Sequence, residues 1–320
     1  MSGEEYANGT HWPVLRVEAV AALNLKPDGV YLDATFGRGG HAQAILEQVG
    51  PGGRLLCLDR DPDAVAAARA RFGADPRVAI FLARFSELAA CADRVRPGLR
   101  FDGILFDLGV SSPQLDEPAR GFSFLQDGPL DMRMDRGTGP SAADVVNTAA
   151  ADELARIFRE FGEERFALRI ARAIVTDRKT APFQRTLQLA EMIARVSPTR
   201  ERHKHPATRV FQALRIHVNN ELGEIESALA AALERLEPHG RLAVISFHSL
   251  EDRIVKRFLR QHASPDPLYA GLPQIPAHAR PRLRLVGKPT VPSDAEIARN
   301  PRARSARLRV AERLPTDLAA

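Results

Sequence analysis

An apolar run that enters a glycine-dense turn and leaves it as a helix limits what the first half of this chain can fold into. The stretch Val30-Tyr31-Leu32-Asp33-Ala34-Thr35-Phe36-Gly37-Arg38-Gly39-Gly40-His41 begins as a strand, and Ile45, Leu46 and Val49 then share one helical face. The segment therefore reads as strand, tight turn and helix. Glycines without a Cβ let the backbone come close to a ligand, and the N-terminus of the following helix points unpaired N–H groups at it. A nucleotide-like ligand is expected at this turn.

Gly37-x-Gly39-x-x-Ala42 fits the loose dinucleotide pattern, and Asp59 ends the next apolar run, about where a ribose-binding carboxylate belongs. The discriminating residue is Asp33, at the carboxyl end of the first strand. A carboxylate there repels a pyrophosphate but can accept hydrogen bonds from an ammonium group. S-adenosylmethionine carries an ammonium and no phosphate. Asp33, Gly37, Gly39 and Gly40 are accordingly read as the methionine end of that cofactor's site, and Asp59 as the acceptor for its ribose hydroxyls. The plain structural alternative is that Asp33 only caps the turn.

With 320 residues, 44% apolar and 27% charged, the chain has the makings of a soluble globular protein of two domains. No leader pattern opens it and no apolar run approaches membrane-spanning length, so no membrane partner is expected. Cys57 in a predicted strand and Cys91 in a predicted helix fit neither a disulfide framework nor a metal site, and the expected setting is cytoplasmic, with reduced thiols. No metal is expected. The net charge of +5 is unevenly spread. Arg195, Arg200, Arg202, Lys204, Arg209 and Arg215 form one basic cluster, and Arg299, Arg302, Arg304, Arg307, Arg309 and Arg313 a second. Either can be a phosphate footprint or a solvated face.

Strands and helices alternate up to Asp107. Asp61-Pro62 reads as cap and first turn of a helix, Val78 to Leu82 as a strand, Arg84-Phe85-Ser86 as loop and cap, and Phe101 to Phe106 as a strand. This is the start of a doubly wound parallel sheet, whose ligands bind beyond the carboxyl ends of the strands. Asp33, Asp59, Phe85 and Asp107 should converge there. The stretch Gly109 to Gly139 reads as a lid or binding loop. Amphipathic helices follow, with Thr186 expected as the cap of the one from Leu187 to Val196, and they suggest an inserted helical domain. Sheet logic returns at Leu242 to Ile245, which runs into Ser246-Phe247-His248-Ser249-Leu250-Glu251-Asp252. Ser249 with Asp252 suggests a capping box, leaving Ser246 and His248 to face substrate. Leu283 to Val286 and Arg307 to Val310 are expected as half-exposed antiparallel edge strands.

Eight stretches, in order, carry a resemblance. They are Gly37 to His41, Phe106-Asp107-Leu108-Gly109-Val110-Ser111-Ser112-Pro113-Gln114-Leu115-Asp116, Arg120 to Phe124, Asp131-Met132-Arg133-Met134-Asp135, Gly162 to Phe166, His205-Pro206-Ala207-Thr208-Arg209, Ser246 to Arg253 and Asn300 to Ser305. Together they resemble the bacterial ribosomal RNA small subunit methyltransferase H family, over nearly the whole chain. The resemblance implies an α/β, class I (Rossmann-like) S-adenosylmethionine-dependent methyltransferase with an inserted all-helical domain. It implies methyl transfer to the exocyclic N4 of a cytidine in the decoding region of 16S rRNA, with the small ribosomal subunit as partner. The family's cofactor contacts fall on Gly39, Gly40, His41, Asp59, Phe85, Asp107 and Gln114.

The domains expected are 1–112 and 207–320 for the methyltransferase and 113–206 for an inserted substrate-recognition element. Phe85 offers an aromatic face to adenine or is plain core. The catalytic candidates are Asp107, Ser246 and His248. Asp107 either accepts the amine proton or serves only the cofactor. Arg200, Arg202, Lys204 and Arg209 are the expected RNA clamp, at the mouth of the crevice, whereas Arg299 to Arg313 is expected partly on an edge strand at its far side. A homodimer is one option for assembly. The competing readings are a DNA or small-molecule amino methyltransferase, a non-catalytic ribosome assembly factor, and a nicotinamide dehydrogenase, which Asp33 opposes.

Overall fold

The computed structural model describes residues 13–198, 205–269 and 271–315. The chain forms two compact units, Met1–Gly109 with Leu222–Ala320, and Val110–Glu221. In chain order the first unit begins with α1 (Arg16–Ala22), β1 (Val30–Asp33), α2 (Gly40–Leu46), β2 (Arg54–Asp59), α3 (Pro62–Phe72), β3 (Val78–Leu82), α4 (Leu88–Val95) and β4 (Phe101–Asp107). The second unit holds α5 (Ser112–Asp116), α6 (Ala142–Thr148), α7 (Ala151–Gly162), α8 (Ala167–Asp177), α9 (Thr186–Val196) and α10 (Thr208–Asn219). The first unit resumes with α11 (Glu221–Arg235), β5 (Leu236–Ser246), α12 (Ser249–His262), β6 (Leu283–Leu285), α13 (Asp294–Arg299) and β7 (Arg307–Arg313).

Among the described residues these strands make one sheet in the order β3-β2-β1-β4-β5-β7-β6. The first five are parallel, β7 runs antiparallel to β5, and β6 antiparallel to β7. Both faces are covered, and the period of two along each strand decides which core a side chain enters. Leu32, Leu56, Leu58, Ile104, Phe106, Leu242 and Val244 point to one side, against Leu88 and Ala92 of α4, Ile225, Leu229 and Leu233 of α11, and Val255 and Leu259 of α12. Their neighbours Tyr31, Leu55, Cys57, Leu105, Ala243 and Ile245 point to the other, against Val20 of α1, Ile45 of α2 and Phe72 of α3. The strand order reverses between β1 and β4, and that switch places the ends of β1, β2 and β4 side by side.

Two sequence expectations change here. β7 is not an edge strand. It lies between β5 and β6, and Arg307 pairs with Ser246, the last residue of β5. Because β7 is antiparallel, its beginning lies at the carboxyl edge of the parallel strands, which puts Arg307 of the second basic cluster at that edge. The helix after Ser246 is capped by His248 with Glu251, and Ser249 is its first residue.

In the helical unit Leu154, Ala155, Ile157 and Phe158 of α7 are buried at helical spacing, and α7 packs on α8 and α10. The side chains of α10 (Val210, Phe211, Ala213, Leu214) enter the same core, so the unit extends to Glu221, beyond the boundary expected at residue 206. The stretch expected as a lid or binding loop contributes side chains to that core as well. Phe122, Leu130, Met132 and Met134 are buried in it, and Gly121 turns the chain at φ 74°, where a Cβ would lie 2.2 Å from the Pro129 carbonyl oxygen. Asn219 fastens the stretch. Its Nδ2 donates to the Met132 carbonyl at 2.7 Å and its Oδ1 accepts from the Met134 N–H at 2.9 Å. Thr186 opens α9 rather than capping it, and its hydroxyl oxygen accepts from the Gly128 N–H at 3.1 Å.

Asn219→Ala strands two buried backbone groups, each costing about 1–3 kcal/mol. The expected loss is about 2–6 kcal/mol of unfolding free energy, measured by urea titration. A loss below about 0.5 kcal/mol, the range of an ordinary surface substitution, shows that the stretch is held by other means.

Candidate functional site

The carboxyl edge of the sheet carries Asp33, Asp59 and Asp107 at the ends of β1, β2 and β4. The turn after β1 is wired to both neighbours. The Gly37 N–H donates to Asp59 Oδ2 at 2.8 Å, and the Asp107 N–H donates to the Thr35 hydroxyl oxygen at 2.6 Å. Asp59 Oδ1 also accepts from the Asp61 N–H at 2.9 Å, which fixes the entry to α3. Gly39 then caps α2 at φ 73°, and a Cβ there would lie 2.5 Å from the Phe36 ring. Only glycine fits that conformation without displacing the ring.

Asp33 is 1% exposed, and its Oδ1 accepts from the Thr35 N–H at 3.2 Å. Its Oδ2, like Asp107 Oδ1, is buried with no hydrogen-bond partner among the described residues. None of Asp33, Asp59 and Asp107 has a lysine or arginine partner among those residues. Burial, with the negative charge of Asp59, pushes the Asp33 carboxyl up to about 7. Burial also raises Asp59 to about 6 against the pull of its backbone donors. Asp107 is raised well above the usual carboxylate range by burial and by the charges of Asp33 and Glu251. Raised carboxyls bind protons more tightly in the folded chain than in the unfolded one. What Asp33 and Asp59 contribute to stability is thus present at low pH and lost as pH rises from about 4 towards 7.

His41 bridges the edge to the chain before α1. Its Nε2 lies 3.2 Å from the Val14 carbonyl oxygen, an acceptor only, so Nε2 carries the proton and Nδ1 turns its lone pair towards Asp107 Oδ2 at 3.7 Å. Burial lowers its pKa to about 4, so the ring is neutral at physiological pH and offsets no carboxylate. Phe85 packs edge-on against Phe106, ring centres 5.9 Å apart. The residues on either side of it are tied to Glu224 of α11. The Ser86 hydroxyl donates to Glu224 Oε2 at 2.5 Å and Arg84 Nη1 to Oε1 at 3.4 Å.

The remaining candidates have structural partners. Ser246 is buried, its hydroxyl 3.4 Å from the Arg307 carbonyl oxygen. His248 Nδ1 accepts from the Glu251 N–H at 3.4 Å at the head of α12. Glu251, which is fully buried, accepts from the Phe247 and His248 N–H groups at 2.7 and 3.1 Å. In the helical unit Gln114 is buried, and its Oε1 accepts from the Ser111 N–H at 2.9 Å. Arg209 Nη1 donates to the Glu163 carbonyl oxygen at 2.8 Å, at the C-terminus of α7. Arg200, Arg202 and Lys204 lie outside the described residues. Sequence reasoning missed Thr35, Glu224 and Glu251. Glu251 had a signal, since it stands three residues after His248 as the partner of a capping box.

A pair of ionisable acids without a cation suits a positively charged ligand. Asp33 Oδ2 and Asp107 Oδ1 are acceptors already stripped of water, and an ammonium or sulfonium relieves the cost that raises both groups. Asp59 stands one strand away and the Phe85 ring follows the end of β3, along the same edge.

The model of the MraW methylase family matches residues 8–314. A protein of Idiomarina loihiensis named ribosomal RNA small subunit methyltransferase H is 55% identical over 309 residues, covering 96% of this chain and 98% of its own length. Proteins of that name from Shewanella loihica and Thioalkalivibrio sulfidiphilus are 54% and 58% identical, each covering 95% of this chain and 97% of their own. The crystal structure of an rRNA methylase from Streptococcus thermophilus aligns with a TM-score of 0.40 at 13% identity, over 93% of each chain.

The tether on Phe85 is testable by itself. Glu224→Ala should weaken binding of an adenosine-containing ligand about tenfold, the scale of one hydrogen bond to a charged group. Glu224→Gln, which keeps an acceptor for Ser86, should recover most of that loss. Calorimetry giving parental affinity for both variants removes Glu224 from the site.

Proposed function

The chain belongs to the MraW methylase family, and from that premise we propose that it transfers a methyl group from S-adenosylmethionine to the exocyclic N4 of a cytidine in the decoding region of 16S rRNA, within the small ribosomal subunit in the cytoplasm. The reading is carried by the three carboxylates Asp33, Asp59 and Asp107, which line the ends of adjacent strands without a lysine or arginine partner among the described residues. Asp33 holds the ammonium, Asp59 the ribose hydroxyls and Phe85 the adenine, while Gly37, Gly39 and Gly40 let the backbone approach.

When bound, S-adenosylmethionine supplies an electrophilic methyl on a sulfonium. The protein has to solve the other half of the reaction. The lone pair of a cytosine N4 is delocalised into the ring, so the nitrogen becomes a nucleophile only as its proton leaves. Asp107 stands at the strand end beside Asp33, and its uncompensated surroundings make its carboxylate more basic than a solvated one. As the new N–C bond forms and the S–C bond breaks, the N4 proton passes to Asp107 Oδ1. Burial raises Asp107 most, and a cation beside Asp33 removes one of the two negative charges that raise it further, which favours the ionised carboxylate. Ser246 and His248 shape the neighbouring strand end through the head of α12. The helical unit serves to recognise the RNA, because a cytidine must be splayed out of its stack before N4 can be reached.

Nucleoside analysis of small-subunit rRNA from cells with and without the protein tests the reading, which fails if N4-methylated cytidine persists at the parental level. The role of Asp107 has its own measurement. Asp107→Asn should lower the single-turnover rate about a hundredfold or more at saturating cofactor and should flatten the rise of that rate with pH. Equal losses of cofactor affinity and overall activity, with an unchanged transfer step, make Asp107 a binding residue instead. The pKa of Asp33 sets a further expectation. A cation binds the ionised carboxylate, so cofactor affinity should rise with pH up to about 7 and release a proton near pH 6. Calorimetry of Asp33→Asn should show neither effect, and a parental pH dependence in that variant would remove Asp33 from the ammonium site.

A further inference from the structure

The segment before β7 carries a charged surface that the methyl-transfer chemistry does not use. Ala303, Ala306 and Leu308 are buried in the core shared with α1 and α2, and the Asn300 side chain accepts from the Arg302 N–H at 3.2 Å. The backbone from residue 301 to 308 is thereby pinned, and Arg302, Arg304 and Arg307 are left on the outside. Arg304 has no partner among the described residues. Arg307 lies 3.4 Å from Asp252, but Arg309 already holds that carboxylate through two hydrogen bonds of 2.7 and 3.0 Å. One acid thus faces two guanidinium groups, and a net positive charge remains at the surface. The position matters more than the count. Arg307 pairs with Ser246 at the carboxyl end of β5, and the residue before Ser246 pairs with Asp107. Two strand spacings, about 10 Å at ~4.8 Å per strand, separate the start of β7 from the proton acceptor.

We infer that Arg304 and Arg307 form a phosphate-binding edge on the sheet unit and hold the RNA backbone next to the target cytidine. This rests on the reading of the chain as an rRNA methyltransferase. A base drawn out to Asp107 leaves its neighbours in the strand within reach of the start of β7, and planar guanidinium groups suit phosphate oxygens. The contacts carry no base identity, so they add affinity and position rather than sequence choice.

The test is the salt dependence of binding to small ribosomal subunits that lack the modification. The doubly substituted protein R304A/R307A should show a logarithmic salt slope lower by about 1.4, two contacts at about 0.7 each for a single strand. Its affinity deficit against the parent should shrink roughly sevenfold as salt rises from about 50 to about 200 mM. Affinity for S-adenosylhomocysteine and the transfer rate at saturating subunits should stay at parental values, which establishes that the variant is folded. Arg96→Ala is the control. Arg96 is exposed, unpaired among the described residues, and precedes β4 at the opposite end of the strands. A parental slope in the double variant, or an equal flattening in Arg96→Ala, overturns the inference. If the parent itself neither binds nor methylates the subunits, the rRNA reading fails first and this edge falls with it.

Discussion

Two hydrogen bonds across the carboxyl edge, from Gly37 to Asp59 and from Asp107 to Thr35, hold the three strand ends in one frame. Without them the glycine turn would be a loop with the freedom glycine confers. With them, the same carboxylate that is available to a ribose also fixes the turn that admits the methionine end. Asp59 therefore has a structural task besides the ribose contact proposed for it, and the entry to α3 through the Asp61 N–H hangs on its second oxygen. The Phe85 loop completes the frame from outside through Glu224.

Much of this was legible because it is written locally. The alternation of strand and helix, the cap at Asp61-Pro62 and the carboxylates at the strand ends follow from nearest-neighbour pattern, and the structure has all of them. What pattern cannot show is which distant segment comes to lie beside which. Glu224 is 138 residues from Ser86, and no period or spacing joins them. The place of β7 is likewise a property of the sheet: its antiparallel direction is as expected, but alternation in Arg307 to Val310 looks the same in an edge strand and beside one. The capping error at Ser249 was local and had another cause. Serine is the commoner cap, and a histidine one residue earlier took the role because Glu251 answers it.

The glycine- and proline-rich stretch after Asp107 shows the same limit from another direction. Its composition points to a lid or binding loop, yet four of its apolar side chains are core and Asn219 closes it from a helix 85 residues away. Irregular backbone becomes rigid when its polar groups find fixed partners. The basic residues Arg200, Arg202 and Lys204 remain an expectation of sequence, because they lie outside the described residues, whereas Arg209 spends a guanidinium N–H on a helix end.

Burying Asp33 and one oxygen of Asp107 without a cation has a consequence for how such a protein persists. The folded state carries the desolvation of these acids as a standing liability. Amide variants at the two positions should be sturdier and idle, the usual trade between robustness and activity. A cationic ligand that binds only the folded chain would offset that liability. The protein with that ligand should then open less often, and be cut less readily by proteases, than the protein without it.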